Sequence, residues 1–139
     1  MTPEQQQQLI EINREVNQIT FTDLPGPGEA EDWWTDVQVP GRSWVCRDYV
    51  LAKADRLRAA GWSGTDLTVV LCWTELYGVP QKRDYHAVLA VEVGEAAPMI
   101  LDSRFEAPYT MSRPPAAYVW DRRQIPGTVE FEPIGGVVS

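Results

Sequence analysis

Three residues spaced along 139 positions have the types needed for nucleophilic chemistry. Cys46 lies in Ser43-Trp44-Val45-Cys46-Arg47-Asp48-Tyr49, just ahead of a helical pattern. His86, the only histidine, opens the apolar run His86-Ala87-Val88-Leu89-Ala90-Val91-Glu92-Val93. Asp102 closes Met99-Ile100-Leu101-Asp102. A thiol at a helix start, an imidazole at a strand start and a carboxylate at the end of the next strand are the parts of a Cys-His-Asp hydrolase or acyltransferase. The nucleophile is the thiolate, which the positive end of a helix dipole and a nearby imidazolium both favour. Backbone N–H groups at the same helix start would face a developing oxyanion. Each residue also has a plain structural reading. A free cysteine is commonly a small buried core residue. A lone strand-end histidine is commonly a satisfied structural group, and Asp102-Ser103 can simply end a strand in a turn.

The elements that must position these groups can be read from periodicity. Leu9, Ile12, Val16 and Ile19 recur at helical spacing, so roughly residues 4 to 19 read as an amphipathic helix. Thr2 is its expected cap and Pro3 suits its first position. Gln5 to Gln8 read as a solvated face of that helix. The stretch from Asp23 to Glu29, with two prolines and two glycines, reads as a loop, and Val39-Pro40-Gly41 as a turn. Ser43 is the expected N-cap of a second helix. Its apolar stripe is Cys46, Val50, Ala54, Leu57 and Ala60, with Lys53, Arg56 and Arg58 largely off that stripe, and Gly61 ends it.

After Gly61 the period changes from helix to strand. Leu67 to Trp73 is rich in β-branched and aromatic residues and reads as a strand. Tyr77 to Asp84 reads as a polar connector. His86 to Val93 is a second strand, apolar on both faces and therefore central. Gly94 to Pro98 is a turn, and Met99 to Asp102 a third strand. Such a hairpin brings Asp102 near His86 and accounts for their sixteen-residue separation. Arg113-Pro114-Pro115 is a loop. Tyr118-Val119-Trp120 and Val129-Glu130-Phe131 add edge strands around Pro126-Gly127, and the tail from Gly135 to Ser139 frays. The expected fold is α+β: one domain over residues 1–139, with N-terminal helices packed on an antiparallel β-sheet.

Composition removes several function classes. A net charge of −8 and a pI near 4.6 argue against nucleic acid or an anionic membrane as partner. Cys46 and Cys72 alone do not read as a disulfide framework, so a reduced pair is expected. The first residues lack a basic segment followed by an apolar one, so no signal peptide is expected. No apolar run is long enough to span a bilayer. One histidine and two scattered cysteines do not make a zinc site, and no phosphate loop or GxSxG elbow is present. Glu29, Glu31, Asp32 and Asp36 read as a solvated acidic loop rather than a calcium site. Trp73 and Trp120 fall on strands and read as core. Trp33, Trp34 and Trp44 precede the thiol in irregular sequence, where an indole N–H can line a cleft or simply pack. With Tyr85, next to His86, they are the candidate substrate-binding residues.

The whole pattern resembles the bacterial transglutaminase-like cysteine proteinases of the papain-like and transglutaminase-like superfamily. The resemblance covers roughly residues 9 to 120. It begins at Val16-Asn17, continues at Asp32-Trp33-Trp34, and is strongest from Cys46 to Lys53 with Leu57 and Gly61. It resumes at His86 to Val91 and at Ile100-Leu101-Asp102. The resemblance implies a papain-like or transglutaminase-like core with Cys46, His86 and Asp102 as catalytic triad. It implies a protein or peptide substrate, amide cleavage through an acyl-enzyme, and no cofactor. Members that cleave periplasmic adhesins carry acids on both sides of the nucleophile that are associated with calcium. Here the neighbours are Val45 and Arg47, so no metal is expected, although Asp48 is present. Two alternatives use the same fold: acyl transfer to an amine, and a non-catalytic module such as a phage assembly or virion component with phage structural proteins as partners. The corresponding location is cytoplasmic or virion-associated.

Overall fold

A computed structural model of the chain describes residues 1–19, 45–76, 79–94, 97–128 and 130–134. The expected loop and turn before Cys46, the acidic cluster, the Ser43 cap, Trp33, Trp34, Trp44 and the tail beyond Ile134 lie outside those residues.

Helix α1 spans Pro3–Asn17. Thr2 caps it: its side chain accepts from the Gln5 N–H, and the Gln5 side chain accepts from the Thr2 N–H, a reciprocal capping box with Pro3 in the first turn. Leu9, Ile12, Asn13 and Val16 form its buried stripe. Gln5, Gln6 and Gln7 are exposed, while Gln8 accepts a hydrogen bond from the Trp62 indole at 2.6 Å. Helix α2 spans Val45–Ala59, so Cys46 lies in its first turn. Cys46, Val50, Ala54 and Leu57 are buried as the stripe requires. Two positions differ from expectation. Ala60 is exposed, because the helix has already ended. Lys53 is completely buried: it stands seven residues, close to two full turns, beyond Cys46 and so shares its face. Gly61, with φ 101°, takes the left-handed conformation that lets the Trp62 N–H return to the Leu57 carbonyl.

A short 3-10 turn, Gly64–Asp66, leads into six strands: β1 Leu67–Leu76, β2 Val79–Val91, β3 Met99–Leu101, β4 Tyr109–Thr110, β5 Val119–Gln124 and β6 Phe131–Pro133. They form one sheet in the order β4-β3-β2-β1-β5-β6, and every neighbouring pair is antiparallel. Strands β1 and β2 are central, as the doubly apolar pattern of β2 anticipates. Much of the expected connector from Tyr77 to Asp84 belongs instead to β2, which pairs with β1 from Leu76↔Val79 onward. Its polar sequence is compatible with a strand because β3 reaches only Leu89, Ala90 and Val91. Among the described residues the first part of β2 therefore has a neighbour on one side only, which also tolerates Pro80.

The alternation of the strands sorts the core into two layers. Leu67, Val69, Leu71, Ala87, Leu89, Val91 and Leu101 pack with the buried stripes of both helices. Val70, Cys72, Val88, Ala90, Ile100 and Trp120 point the other way and pack with Met111. The connection from β4 to β5 crosses this second face, because its ends lie on opposite sides of β3, β2 and β1. Trp120 is core, as expected. Trp73 is not: it is 37% exposed and lies against Tyr85, the rings 4.5 Å apart. Among the described residues no helix is long and apolar enough to cross a membrane.

Leu57 is fully buried between the helices and the sheet. Leu57→Ala is expected to lower unfolding free energy by about 2–5 kcal/mol. Urea titration checks this, and a loss below about 1 kcal/mol would mean that α2 is not packed as described.

Candidate active site

Asp102 follows the last residue of β3, and His86 lies on β2. The β2–β3 register, Leu89↔Leu101 and Ala90↔Ile100, continued one step would set Asp102 opposite Val88. His86 is two residues farther along and on the same face, so the two side chains meet diagonally. The His86 Nε2 to Asp102 Oδ1 distance is 2.7 Å, with side-chain exposures of 2% and 0%. The same imidazole is hydrogen-bonded to Cys46. With Nε2 engaged by the carboxylate, Nδ1 is the nitrogen left for the sulfur. Cys46, His86 and Asp102 thus form one continuous chain of contacts. The sequence predicts all three, and the fold brings all three together.

Electrostatics in this chain favour a charged pair. Burial by itself would lower the His86 pKa. The hydrogen bonds and charges of Asp102 and Cys46 outweigh it, so the imidazole holds its proton above the ordinary 6.5. Burial would likewise raise Asp102. The His86 hydrogen bond and charge, the Arg104 N–H and the Tyr109 hydroxyl overcome that and hold it at about 2, below the ordinary 3.8. Cys72 differs from Cys46. It is fully buried opposite His86 in the β1–β2 register, its thiol contacts the His86 carbonyl at 3.6 Å, and desolvation plus the Asp102 charge push its pKa well up. Both cysteines are free of disulfides.

Several residues that the sequence did not single out complete the site. Asn17 Nδ2 donates to the Asp102 carbonyl at 3.0 Å and to the Phe105 carbonyl at 3.2 Å. Asn13 Nδ2 donates to the Phe105 and Glu106 carbonyls, both at 2.9 Å. Helix α1 therefore ties down the backbone that follows Asp102. The available signal was Asn13 on the buried stripe of α1, with Asn17 one turn on: an amide that close to the core needs partners. The Arg104 N–H donates to Asp102 Oδ1 at 2.9 Å, and the Arg104 guanidinium to Thr74 Oγ1 at 2.7 Å. The Tyr109 and Tyr118 hydroxyls both donate to Asp102 Oδ2 at 2.7 Å. Lys53 Nζ is buried and has no hydrogen-bond partner among the described residues. Desolvation lowers it to about 7 despite the Asp102 charge. Of the candidate substrate-binding residues, Tyr85 is described: it is 6% exposed, and its hydroxyl donates to Asp121 at 2.5 Å.

The chain belongs to the family of bacterial transglutaminase-like cysteine proteinases (BTLCP), whose profile matches residues 1–129. Three solved structures of LapG from Legionella pneumophila are similar to it. The calcium-bound form is 21% identical with a TM-score of 0.57, covering 89% of this chain and 66% of that one. A second LapG structure is 22% identical with a TM-score of 0.53, covering 84% and 63%. An EGTA-treated form is 24% identical with a TM-score of 0.51, covering 81% and 60%. These likenesses establish a shared fold, and the chain spans just under two thirds of the LapG chains. No curated protein matches the sequence.

Calcium takes six to eight oxygen ligands, several of them carboxylates. Beside Cys46 the first turn of α2 offers Val45, Arg47 and one carboxylate, Asp48. Among the described residues no three acidic, histidine or cysteine side chains are grouped to hold a metal. Among the described residues the first turn of α2 therefore supplies one carboxylate toward such a site.

The lowered Asp102 pKa has a thermodynamic consequence. A carboxylate held below its unfolded value contributes stability that is complete above that value and is lost as pH falls through the folded one. For Asp102 the window runs from 3.8 down to about 2, and the contribution is about 2 kcal/mol. Between pH 6 and pH 2 the wild type is expected to lose about 2 kcal/mol more than Asp102→Asn, measured by urea unfolding at each pH. Equal losses would show that Asp102 is not held ionised by its neighbours.

Proposed function

We propose that this chain is a cysteine peptidase that cleaves an amide bond in a protein or peptide. The observation that carries this reading is the unbroken contact chain Cys46–His86–Asp102, with the thiol in the first turn of a helix. Membership in a cysteine proteinase family points the same way. In this mechanism the Cys46 thiolate attacks the carbonyl carbon of the scissile amide, and a C–S bond forms as the carbonyl π electrons move to oxygen. The Cys46 backbone N–H, in the first turn of α2, stabilises that oxyanion. His86 gives its Nδ1 proton to the departing nitrogen as the C–N bond breaks, leaving a thioester. A water molecule then loses a proton to His86 Nδ1 and attacks the thioester. The carboxylic acid departs, and the thiolate–imidazolium pair returns. Asp102 holds the ring in the orientation that both steps need and favours its charged form.

The two cysteines give this mechanism an internal control. Iodoacetamide at neutral pH is expected to label Cys46 and leave Cys72 unmodified, with the sites resolved by mass spectrometry. Cys46 labelling should fall at least tenfold in His86→Ala. Cys46→Ala should reduce peptide turnover by about a thousandfold or more while the melting temperature stays within a few degrees. Full turnover by Cys46→Ala would sink the proposal.

A further inference from the structure

A triad carboxylate has one essential contact, to the imidazole. Asp102 has four. Oδ1 accepts from His86 Nε2 at 2.7 Å and from the Arg104 N–H at 2.9 Å. Oδ2 accepts from the Tyr109 and Tyr118 hydroxyls, each at 2.7 Å. A carboxylate offers about four lone-pair sites, so this one is saturated. Saturation specifies its protonation state: a neutral carboxylic acid would have to donate its own proton and could not also receive four donors. The two phenols come from different places, Tyr109 from β4 and Tyr118 from the residue before β5. The connection that crosses the second face of the sheet joins them. Their rings lie 6.5 Å apart at 73°, and the Tyr118 ring also stands edge-on to His86 at 5.9 Å. Phe105 meets both tyrosines, at 5.9 and 6.4 Å, so neither ring is free to swing away.

We propose that Tyr109 and Tyr118 are positioning residues that keep Asp102 ionised and aimed at His86, and thereby set the pH range over which His86 holds its proton. The proposal rests on the Cys46–His86–Asp102 reading. Both phenols are suited to the task. Burial, the Asp102 charge and the hydrogen bond to it push each tyrosine pKa upward, so each remains a donor at working pH. The other ionisable and charged groups around the pair are Cys46 and Lys53 from α2, Cys72 from β1, Arg104 after β3 and, farther out, Asp121 on β5. All of these remain when a tyrosine becomes phenylalanine, and the ring remains too. The substitution therefore removes one hydroxyl and little else. Asp102 remains ionised at every pH where His86 titrates; losing a donor leaves its charge less shared, so it holds the imidazolium proton to higher pH.

His86 is the only histidine, so its imidazole NMR signals can be followed without assignment ambiguity. The experiment is an NMR pH titration of His86 in the wild type, Tyr109→Phe, Tyr118→Phe and the double variant, beside the pH profile of kcat/KM. The double variant is expected to raise the His86 midpoint by about one pH unit and each single variant by about half of that. The alkaline limb of kcat/KM should move up by the same amount. A purely structural role would reduce melting temperature or turnover without moving either midpoint. If the double variant does not fold, the single variants carry the same test. A midpoint within about 0.2 unit of the wild type in the folded variants overturns the proposal. The triad reading fails separately. If Cys46→Ala keeps full turnover while the His86 midpoint still moves, the tyrosine contacts stand and the peptidase mechanism falls. If Cys46→Ala is inactive and the midpoint does not move, the mechanism stands and the tyrosines are structural.

Discussion

A carboxylate with no access to water must find its donors inside the protein, or it takes up a proton. Asp102 is fully buried, and its donors come from β2, from the turn after β3, from β4 and from the start of β5. Four parts of the chain must therefore be in place together for the charge to be tolerated. Helix α1 adds a fifth constraint through Asn17, which grips the Asp102 carbonyl rather than its side chain. The topology of the sheet can be read from this requirement. The chain leaves β4 at one edge and returns as β5 on the far side of β1, and that excursion brings Tyr118 back to meet Tyr109 over Asp102. Without the crossover Oδ2 of the buried carboxylate would keep Tyr109 and lose Tyr118, which costs about 1–3 kcal/mol for a charged acceptor.

Two cysteines in one small core illustrate how position decides chemistry. Cys46 and Cys72 are both buried and both lie close to His86. Cys46 stands in the first turn of a helix and shares a hydrogen bond with the imidazole ring. Cys72 sits inside a central strand, contacts the His86 carbonyl, and is desolvated beside a negative charge. Burial beside a negative charge opposes a thiolate at Cys72. The same contrast separates Lys53 from the surface lysines of ordinary helices. Its place on the Cys46 face puts an ammonium group in the core, where burial weakens its hold on the proton and the Asp102 charge supports it.

The chain belongs to the bacterial transglutaminase-like cysteine proteinases and shares its fold with LapG. Val45 and Arg47 leave the first turn of α2 with one carboxylate, Asp48. A cation-binding pocket needs converging oxygens, and a hydrocarbon and a guanidinium supply none.

Local sequence was enough to reveal the helices, the strand pair, the hairpin between His86 and Asp102, and the order thiol, imidazole, carboxylate. Those features follow from side-chain period and turn chemistry, which act over a few residues. It was misleading where a pattern carried two meanings. The polar run before Asp84 resembled a connector, yet a strand with one free edge accepts polar residues and proline. Lys53 was placed off the apolar stripe by its charge, and Trp73 was placed in the core by its size; burial ran opposite to both. The tyrosines and asparagines of the site carried no local signal beyond polar atoms that would need partners. Tyr109 and Tyr118 lie seven and sixteen residues beyond Asp102, and Asn17 eighty-five residues before it. The sequence by itself determined which residues could do chemistry and which elements would hold them. Only the tertiary structure decided which donors surround the buried carboxylate, because that depends on strand order and on a crossover that no local interaction encodes.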